Sequence, residues 1–276
     1  MHIAYGNYGM PHTPYPTMIQ QVAAIGYMGL ELCVAPGYPT APDALSSADR
    51  ATLRRLLAEQ QITIDSLLLA KVPVLEADAD QHAAHLAGLR QIFELAADLG
   101  LTRPIVTSTL GGRIEDWDQK REMLAACVRD WATVAADYDG TFGFEPHVGG
   151  IIHTPERARW LLDQVNHPHL KLNFDYSHFE LMDIPLADAL QQLMPHAVGV
   201  HVKDVQGRYP AFKFLLPGEG TLDYRDYVHR LQAAGYEGAI TVEISGQLFN
   251  APGYDALAAA QFSYQTLAAA LAAVSR

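Results

Sequence analysis

The feature that most constrains the fold of this chain is a repeated alternation of short, β-like apolar runs with longer helical patterns. Eight such pairs follow one another along its 276 residues. Strands that alternate with helices are typical of parallel sheets, because each helix carries the chain back to the start of the next strand. The predicted strands cover residues 2–8, 29–34, 62–69, 103–110, 141–147, 170–178, 197–205 and 238–245. The predicted helices cover residues 17–26, 47–61, 80–99, 115–137, 154–165, 185–194, 223–234 and 253–274.

Eight strand-then-helix units with no spare element match the (β/α)₈ barrel, which occupies about 250 residues. We therefore predict the α/β class and a single TIM-barrel domain over residues 1–276. A doubly wound open sheet is the alternative, and it is disfavoured because no Gly-rich fingerprint follows the first predicted strand. No low-complexity linker or change of composition marks a second domain.

Two helix starts carry local signals. Thr17 is followed three residues later by Gln20, which has the form of a capping box. Thr154 precedes Pro155, which predicts an N-cap followed by proline in the first helical position.

Composition limits the classes of partner. The formal net charge is −12 and no run of Lys or Arg exceeds Arg54-Arg55, so a nucleic-acid surface is not expected. The first residues lack the pattern of a signal peptide, and no segment is predicted to span a membrane, so we expect a cytoplasmic protein. Cys33 and Cys127 have no metal-type spacing and are expected to be free thiols.

Four predicted strands carry apolar residues on one parity and polar residues on the other, which places the two sets on opposite faces. The apolar set is Phe142, Phe144, Leu172, Phe174, Tyr176, Val198, Val200, Val202, Ile240, Val242 and Ile244. The opposite parity brings one metal-capable side chain from each strand to the same side: Glu145, Asp175, His201 and Glu243.

These four residues lie at or near the carboxyl ends of their strands, where barrel enzymes form their active sites. Three converging carboxylates without counter-ions would repel one another, and a bound cation would relieve this repulsion. Three oxygen donors and one imidazole suit Mn²⁺, Co²⁺ or Mg²⁺, with Zn²⁺ as a further candidate. For any single position, a hydrogen-bonded residue of the barrel interior is the alternative.

Six segments resemble the motifs of one family. They are Gly29-Leu-Glu31, Phe144-Glu-Pro-His147, Asn173-Phe-Asp-Tyr-Ser-His178, His201-Val-Lys-Asp204, Pro217-Gly-Glu-Gly220 and Val242-Glu243. Together they resemble the sugar phosphate isomerase/epimerase family of xylose isomerase-like TIM barrels, which also contains AP endonuclease family 2 and tagatose 3-epimerase-like enzymes. The resemblance covers essentially the whole chain and is specific for the superfamily rather than for one reaction.

The resemblance implies one divalent metal ion held by Glu145, Asp175, His201 and Glu243. It also implies that Glu145 and Glu243 act on opposite faces of a keto-sugar or polyol, where one removes a proton beside the carbonyl and the other returns it through a metal-stabilised enediolate. A homo-oligomer, either a dimer or a tetramer, is expected on the same ground.

Four further residues are candidates for substrate contacts. His178 matches a family histidine that contacts substrate oxygens, with a structural histidine as the alternative. Arg208 follows the seventh strand near the place of a substrate-contacting arginine, although the spacing is not identical and a solvated loop arginine is the alternative. Glu31 is predicted to face the site or to balance Lys203 or Lys71, and His147 to contact either substrate or Glu145.

Two further features follow His201 in the sequence. Lys203 and Asp204 are interpreted as a pair that orients His201. Residues 206–221 are long for a loop and carry Tyr209, Phe212 and Phe214, so this segment is predicted to be a lid or a subunit contact.

Other functions compete with isomerisation or epimerisation. A dehydratase or lyase of a cyclic, inosose-like keto-polyol would use the same enediolate to expel a hydroxyl group. An AP endonuclease would require a cationic DNA groove, which the acidic composition disfavours. A non-catalytic sugar-binding barrel is a third alternative, disfavoured by the complete set of candidate ligands.

Overall fold

The structure of the protein is a computed structural model, and it describes residues 1–274. These residues contain ten strands: β1 (His2–Gly6), β2 (Gly29–Cys33), β3 (Thr63–Leu68), β4 (Ile105–Thr109), β5 (Thr141–Glu145), β6 (Leu170–Asp175), β7 (Ala197–Val202), β8 (Asp204–Arg208), β9 (Ala211–Leu215) and β10 (Ala239–Val242). Eight of them close into a barrel in the order β1-β10-β7-β6-β5-β4-β3-β2, and every pairing in it is parallel. The predicted (β/α)₈ barrel is confirmed.

Helices connect the strands and surround the barrel. They are α1 (Tyr15–Ile25), α2 (Ser47–Glu59), α3 (Ala79–Asp98), α4 (Trp117–Asp137), α5 (Pro155–Val165), α6 (Tyr176–Glu180), α7 (Leu186–Leu193), α8 (Tyr224–Ala233), α9 (Gly246–Phe249) and α10 (Ala256–Val274). Neighbouring helices pack on one another, for example α3 on α4 and α8 on α10. The main core lies between this layer and the strands.

The apolar parity of the strands supplies the inner side of that core. On β5, Phe142 and Phe144 are completely buried, and the ring of Phe142 packs 5.1 Å from that of Trp131 on α4. Burial of each such ring contributes about 1.5–3 kcal/mol. The opposite parity is thereby turned into the barrel, which is where Glu145 lies.

The alternation predicted for β7 fails at one residue. The register between β6 and β7 shifts, so that Leu172 pairs with Ala197 and Asn173 with Gly199. Val198 is the additional residue, and its Cγ1 lies 3.1 Å from where a Cβ on Gly143 would be. The prediction that Val198 shares the outer face with Val200 was therefore wrong, because a bulge displaces it toward the barrel interior.

Of the two helix starts predicted from local sequence signals, one is confirmed and one was wrong. Thr154 caps α5 as predicted, and its side chain accepts a hydrogen bond from the Arg157 amide. The capping box at Thr17 was wrong, because α1 begins at Tyr15 after Pro14 and has Pro16 in its first turn. The fixed φ of proline suits a first turn, so no side-chain cap is required there.

The segment predicted as a long loop is mostly regular. β7 ends at Val202 rather than at residue 205, and β8 and β9 then form an antiparallel hairpin that covers most of residues 206–221. Phe214 of this hairpin packs with Val148, Leu181 and Val205 in a small cluster beside the main core. The hairpin is thus packed against the carboxyl-end loops of the barrel.

Among the described residues, the last helix is the one element that resembles a membrane span in length and composition. By length and hydropathy, α10 would be able to cross a bilayer, which corrects the expectation that no segment qualifies. In the structure it packs on α1, α8 and β1. Both cysteines are free and buried, as predicted.

Candidate metal centre

Four acidic and imidazole side chains converge inside the carboxyl end of the barrel. Glu145 and Asp175 are the last residues of β5 and β6, His201 is the penultimate residue of β7, and Glu243 directly follows β10. One potential ligand atom from each lies within 4.8 Å of the others, and all four residues are buried. The structure therefore brings together the set that the strand parity singled out.

The ring of His201 has a carboxylate on each side. Its Nδ1 lies 3.2 Å from Oε1 of Glu145, on the side of the cluster, and its Nε2 lies 2.9 Å from Oε2 of Glu31. Burial opposes a charged ring, but the carboxylates of Glu31, Glu145 and Glu243 outweigh it and raise the pKa of His201 well above its usual value. Nδ1 is thus the atom that His201 offers to a cation.

Glu31 is fixed beneath His201 by two hydroxyl groups. Ser66 Oγ donates to Oε2 of Glu31 at 2.7 Å, and Thr107 Oγ1 donates to the same oxygen at 3.2 Å. Glu31 is 1% exposed, and its charged partner is His201 rather than Lys203 or Lys71. Its contact with substrate stays a prediction. A carboxylate that accepts the second ring N–H of a metal-binding histidine fixes its tautomer and its orientation.

The Glu31→Gln variant should therefore weaken metal binding. We expect a metal dissociation constant about 10- to 100-fold higher than that of the wild type, because an amide does not hold His201 as firmly in its Nε2–H form. Calorimetric titration of the metal-free protein with Mn²⁺ measures this directly. Ser66→Ala, which removes one support of Glu31 but leaves the carboxylate, should have a smaller effect. An unchanged dissociation constant in Glu31→Gln would exclude this role.

Lys203 lies among the carboxylates rather than behind them. Its Nζ donates to Oδ2 of Asp175 at 2.6 Å and to Oε2 of Glu243, and it sits 5.2 Å from the centre of the Phe214 ring. Burial disfavours both charges, yet their proximity raises the pKa of Lys203 and lowers the pKa of Glu243 below its usual range. Lys203 therefore supplies one positive charge to the cluster.

Lys203 and Asp204 do not orient His201 as predicted, because the carboxylate at the Nε2 of His201 is that of Glu31. Asp204 accepts hydrogen bonds from the amides of Val205, Gly218 and Leu222 instead. Lys203 thus enters the barrel from between β7 and β8, whereas Asp204 fixes the segment after the hairpin.

The donor set of the cluster fits a divalent cation. Three carboxylates face one lysine and one imidazole, and the convergence of oxygen atoms with a single nitrogen suits Mn²⁺, Co²⁺ or Mg²⁺, with Zn²⁺ as a further candidate.

Metal binding should release a proton at neutral pH. Since the pKa of His201 is raised in the metal-free protein, the ring is charged at pH 7 and must become neutral to offer Nδ1. Affinity should rise about tenfold per pH unit as pH increases toward that pKa and level off above it. Calorimetry in two buffers of different ionisation enthalpy should report about one proton released at pH 7. Heats that do not depend on the buffer would contradict this protonation state.

Two further histidines lie beside the cluster. The rings of His147 and His178 are 4.0 Å apart, and His178 is 1% exposed. Neither nitrogen of His178 has a hydrogen-bond partner among the described residues, and burial lowers the pKa of His178 well below its usual value. His147 is held through Nδ1 by the Val148 carbonyl oxygen at 2.9 Å, which leaves Nε2 for a ligand.

His178 lies on α6 and not, as had been predicted, on a strand. The helix begins here because the side chain of Asp175 accepts a hydrogen bond from the Ser177 amide.

Arg208 is the candidate that the structure keeps away from the cluster. It ends β8 with its side chain half exposed, and its guanidinium contacts Glu180 at 2.9 Å and Asp183 at 3.4 Å. These ion pairs hold the hairpin against the loop after α6.

A cavity of about 260 Å³ opens above the cluster. Its lining includes Glu145, Glu243, Lys203, His147, Tyr8 and Thr109. Tyr8, whose pKa burial raises to about 12, was not singled out from the sequence, nor was Thr109. Both lie at or just beyond the carboxyl end of a strand, β1 and β4, so the strand-end rule would have found them.

Comparison with known proteins agrees with this geometry. A family model described as "Xylose isomerase-like TIM barrel" matches residues 19–265. The human protein named "Putative hydroxypyruvate isomerase" is 28% identical over 245 residues, which are 83% of each chain. An inosose dehydratase of Lactiplantibacillus plantarum is 26% identical over 144 residues, 47% of each chain.

Among solved structures, D-psicose 3-epimerase with D-tagatose from Clostridium cellulolyticum H10 is similar, with a TM-score of 0.76. The match is 18% identical and covers 97% of this chain and 99% of the other. At this identity the likeness concerns the fold.

Proposed function

Because this chain belongs to the xylose isomerase-like TIM-barrel family, we propose that it is a divalent-metal-dependent isomerase or epimerase of a keto-sugar or related polyol. The observation that carries the proposal is the convergence of Glu145, Asp175, His201 and Glu243 in one buried cluster beneath a cavity. The acidic net charge of −12 supports a small, uncharged substrate and disfavours DNA, and with it the AP endonuclease alternative.

In this proposal the four residues of the cluster hold the cation. When bound, a divalent cation polarises the substrate carbonyl group and acidifies the hydrogen on the adjacent carbon. Glu31 keeps His201 in the form that offers Nδ1, and Asp175 is held in place by Lys203 and by the Ser177 amide.

Glu145 and Glu243 carry the proton transfer. Both line the cavity, and they approach it from β5 and β10, with β6 and β7 between them along the barrel. Lys203 and His201 lower the pKa of Glu243 despite its burial, so its carboxylate is ionised and able to accept a proton at neutral pH. Glu145 delivers a proton, taken up from solvent, to the other side of the substrate, and Glu243 then releases the proton that it removed to solvent.

The two histidines orient the substrate. The unpartnered nitrogens of buried His178 and the Nε2 of His147 provide a donor and an acceptor for substrate hydroxyl groups. A buried polar atom without a partner is costly, so a substrate hydroxyl that satisfies it is bound selectively.

A dehydratase of a cyclic keto-polyol is the second candidate. It is favoured by the match to inosose dehydratase over about half of each chain and by His147, which lines the cavity and whose Nε2 is free to reach a leaving hydroxyl group. Loss of that group after proton removal yields an enone, whereas reprotonation yields an epimer or isomer.

One experiment separates these reactions. The metal-loaded protein is incubated in D₂O with a panel of ketoses, aldoses and inososes, and the products are analysed by NMR. We expect deuterium on a carbon next to the carbonyl group together with an epimer or isomer. An enone with ultraviolet absorbance would instead assign the dehydratase. No exchange with any compound of the panel, with metal bound, would contradict both.

A further inference from the structure

A second cavity opens directly beside the candidate metal centre. Its volume is about 340 Å³, and it shares Thr109, Glu145 and His147 with the cavity above the cluster. Small-molecule sites span roughly 300–1,000 Å³, so each cavity alone is near or below the lower end of that range. Because Glu145 lines both, a molecule bound at the cluster is able to extend from one cavity into the other.

The wall of this second cavity is largely apolar. It includes the buried side chains of Leu110, Val148, Ile151 and Ile152. Tyr209, at the end of the hairpin and 43% exposed, adds an aromatic ring at the rim. Neither Lys nor Arg occurs among the described residues that line it, and the carboxylate of Glu145 stands at its inner end. This lining disfavours a phosphate or a carboxylate.

Two glycine-rich turns add polar backbone to the same wall. Gly111 and Gly112 adopt left-handed φ values of 76° and 68°, and Gly149 adopts 75°. Within residues 1–274, the amides of Gly111 and Gly112 have no hydrogen-bond partner. A side chain at residue 112 would meet Ile151 and Leu75 at 3.0 Å. The wall therefore offers hydrogen bonds to a ligand next to its apolar side chains.

We propose that the second cavity binds the non-reacting end of the substrate and that this end is an uncharged sugar ring. The substrate is then a glycosylated keto-sugar or polyol. A sugar ring combines an apolar face, suited to Tyr209 and the aliphatic wall, with hydroxyl groups suited to the free amides. This inference rests on the proposed function for the identity of the reacting end, which lies at the cluster.

Binding affinity tests the proposal without requiring turnover. Calorimetry with the metal-loaded protein compares ketohexoses with glucosyl-ketohexose disaccharides that keep the carbonyl group free, such as maltulose, leucrose and palatinose. We expect at least one disaccharide to bind about tenfold or more tightly than its parent ketohexose. Equal or weaker binding of all disaccharides would overturn the proposal.

Two variants test whether the tighter binding of disaccharides arises in the second cavity. Thr109→Phe places a ring at the junction of the cavities and should abolish the advantage of the disaccharide. Tyr209→Ala should reduce disaccharide affinity about three- to tenfold, which is the range expected for loss of one aromatic contact. Phe262→Ala is the matched control, because Phe262 is 40% exposed on α10 and does not line either cavity. An advantage that survives in Thr109→Phe would overturn the proposal.

Failure of this inference is distinguishable from failure of the proposed function. Hydrogen exchange in D₂O, measured with the ketohexoses and without disaccharides, tests the reaction at the cluster. Exchange without any preference for disaccharides rejects only the second binding site. Tighter binding of disaccharides without exchange retains the site and rejects the reaction.

Discussion

Replacement of Glu243 by glutamine is expected to reduce hydrogen exchange between substrate and D₂O by about 100- to 10,000-fold, the contribution of a positioned proton-transfer group. The amide keeps the size of the side chain and one oxygen atom for the cation but has no basic oxygen for the proton. The variant should therefore retain bound metal. The rate is measured by NMR on the substrate that gives the fastest exchange with the wild type.

A matched variant controls for general effects on the barrel. Glu237 lies on the surface just before β10, at the end of the strand opposite Glu243. Glu237→Gln should exchange at the wild-type rate. Exchange that continues unchanged in metal-loaded Glu243→Gln would remove Glu243 from the proton-transfer step.

Replacement of Lys203 by methionine is expected to have the second large effect, on stability rather than rate. In the metal-free protein the ammonium group offsets two carboxylates, and Lys203 itself is only 3% exposed. Removing one partner of a buried ion pair costs about 3–5 kcal/mol, because the remaining charges stay buried without compensation. We expect the free energy of unfolding in urea to fall by that amount without metal.

The loss of unfolding free energy caused by Lys203→Met should be smaller when the cation is bound. A divalent ion among Glu145, Asp175 and Glu243 supplies the missing positive charge, so saturating Mn²⁺ should restore more stability to Lys203→Met than to the wild type. Lys213→Met, at an exposed position on β9, controls for the loss of a lysine side chain. An equal stability loss with and without metal would contradict the role of Lys203 as a counter-ion of the cluster.

The sequence predicted the barrel and the cluster for the same physical reason. Strand periodicity places residues of one parity on one face, and parallel strands bring their carboxyl ends to one rim, so Glu145, Asp175, His201 and Glu243 had to approach one another. Each of the four lies at or near the end of a different strand, or directly after it, so the periodicity of the single strands was sufficient to predict that they converge. The roles of these residues in catalysis stay a prediction.

Other features depend on contacts that no local pattern encodes. The bulge at Val198 follows from the register with β6, and the partnership of His201 with Glu31 joins residues 170 positions apart. Lys203 and Asp204 were expected to orient His201 because they follow it in sequence. Lys203 instead lies between two carboxylates of the cluster, and Asp204 binds backbone amides of the segment after the hairpin. The hairpin of β8 and β9 was predicted as a loop because Gly207 and Pro210 interrupt the pattern of its two five-residue strands.

Crystals of the protein equilibrated with Mn²⁺ would test the central claim most directly, through the anomalous scattering of the ion. We predict one strong peak per chain within about 2.0–2.4 Å of carboxylate oxygens of Glu145, Asp175 and Glu243 and of Nδ1 of His201. Lys203 should then be displaced from at least one of its two carboxylates. A fully occupied Mn²⁺ site elsewhere in the molecule, with the cluster still closed around Lys203, would contradict the account.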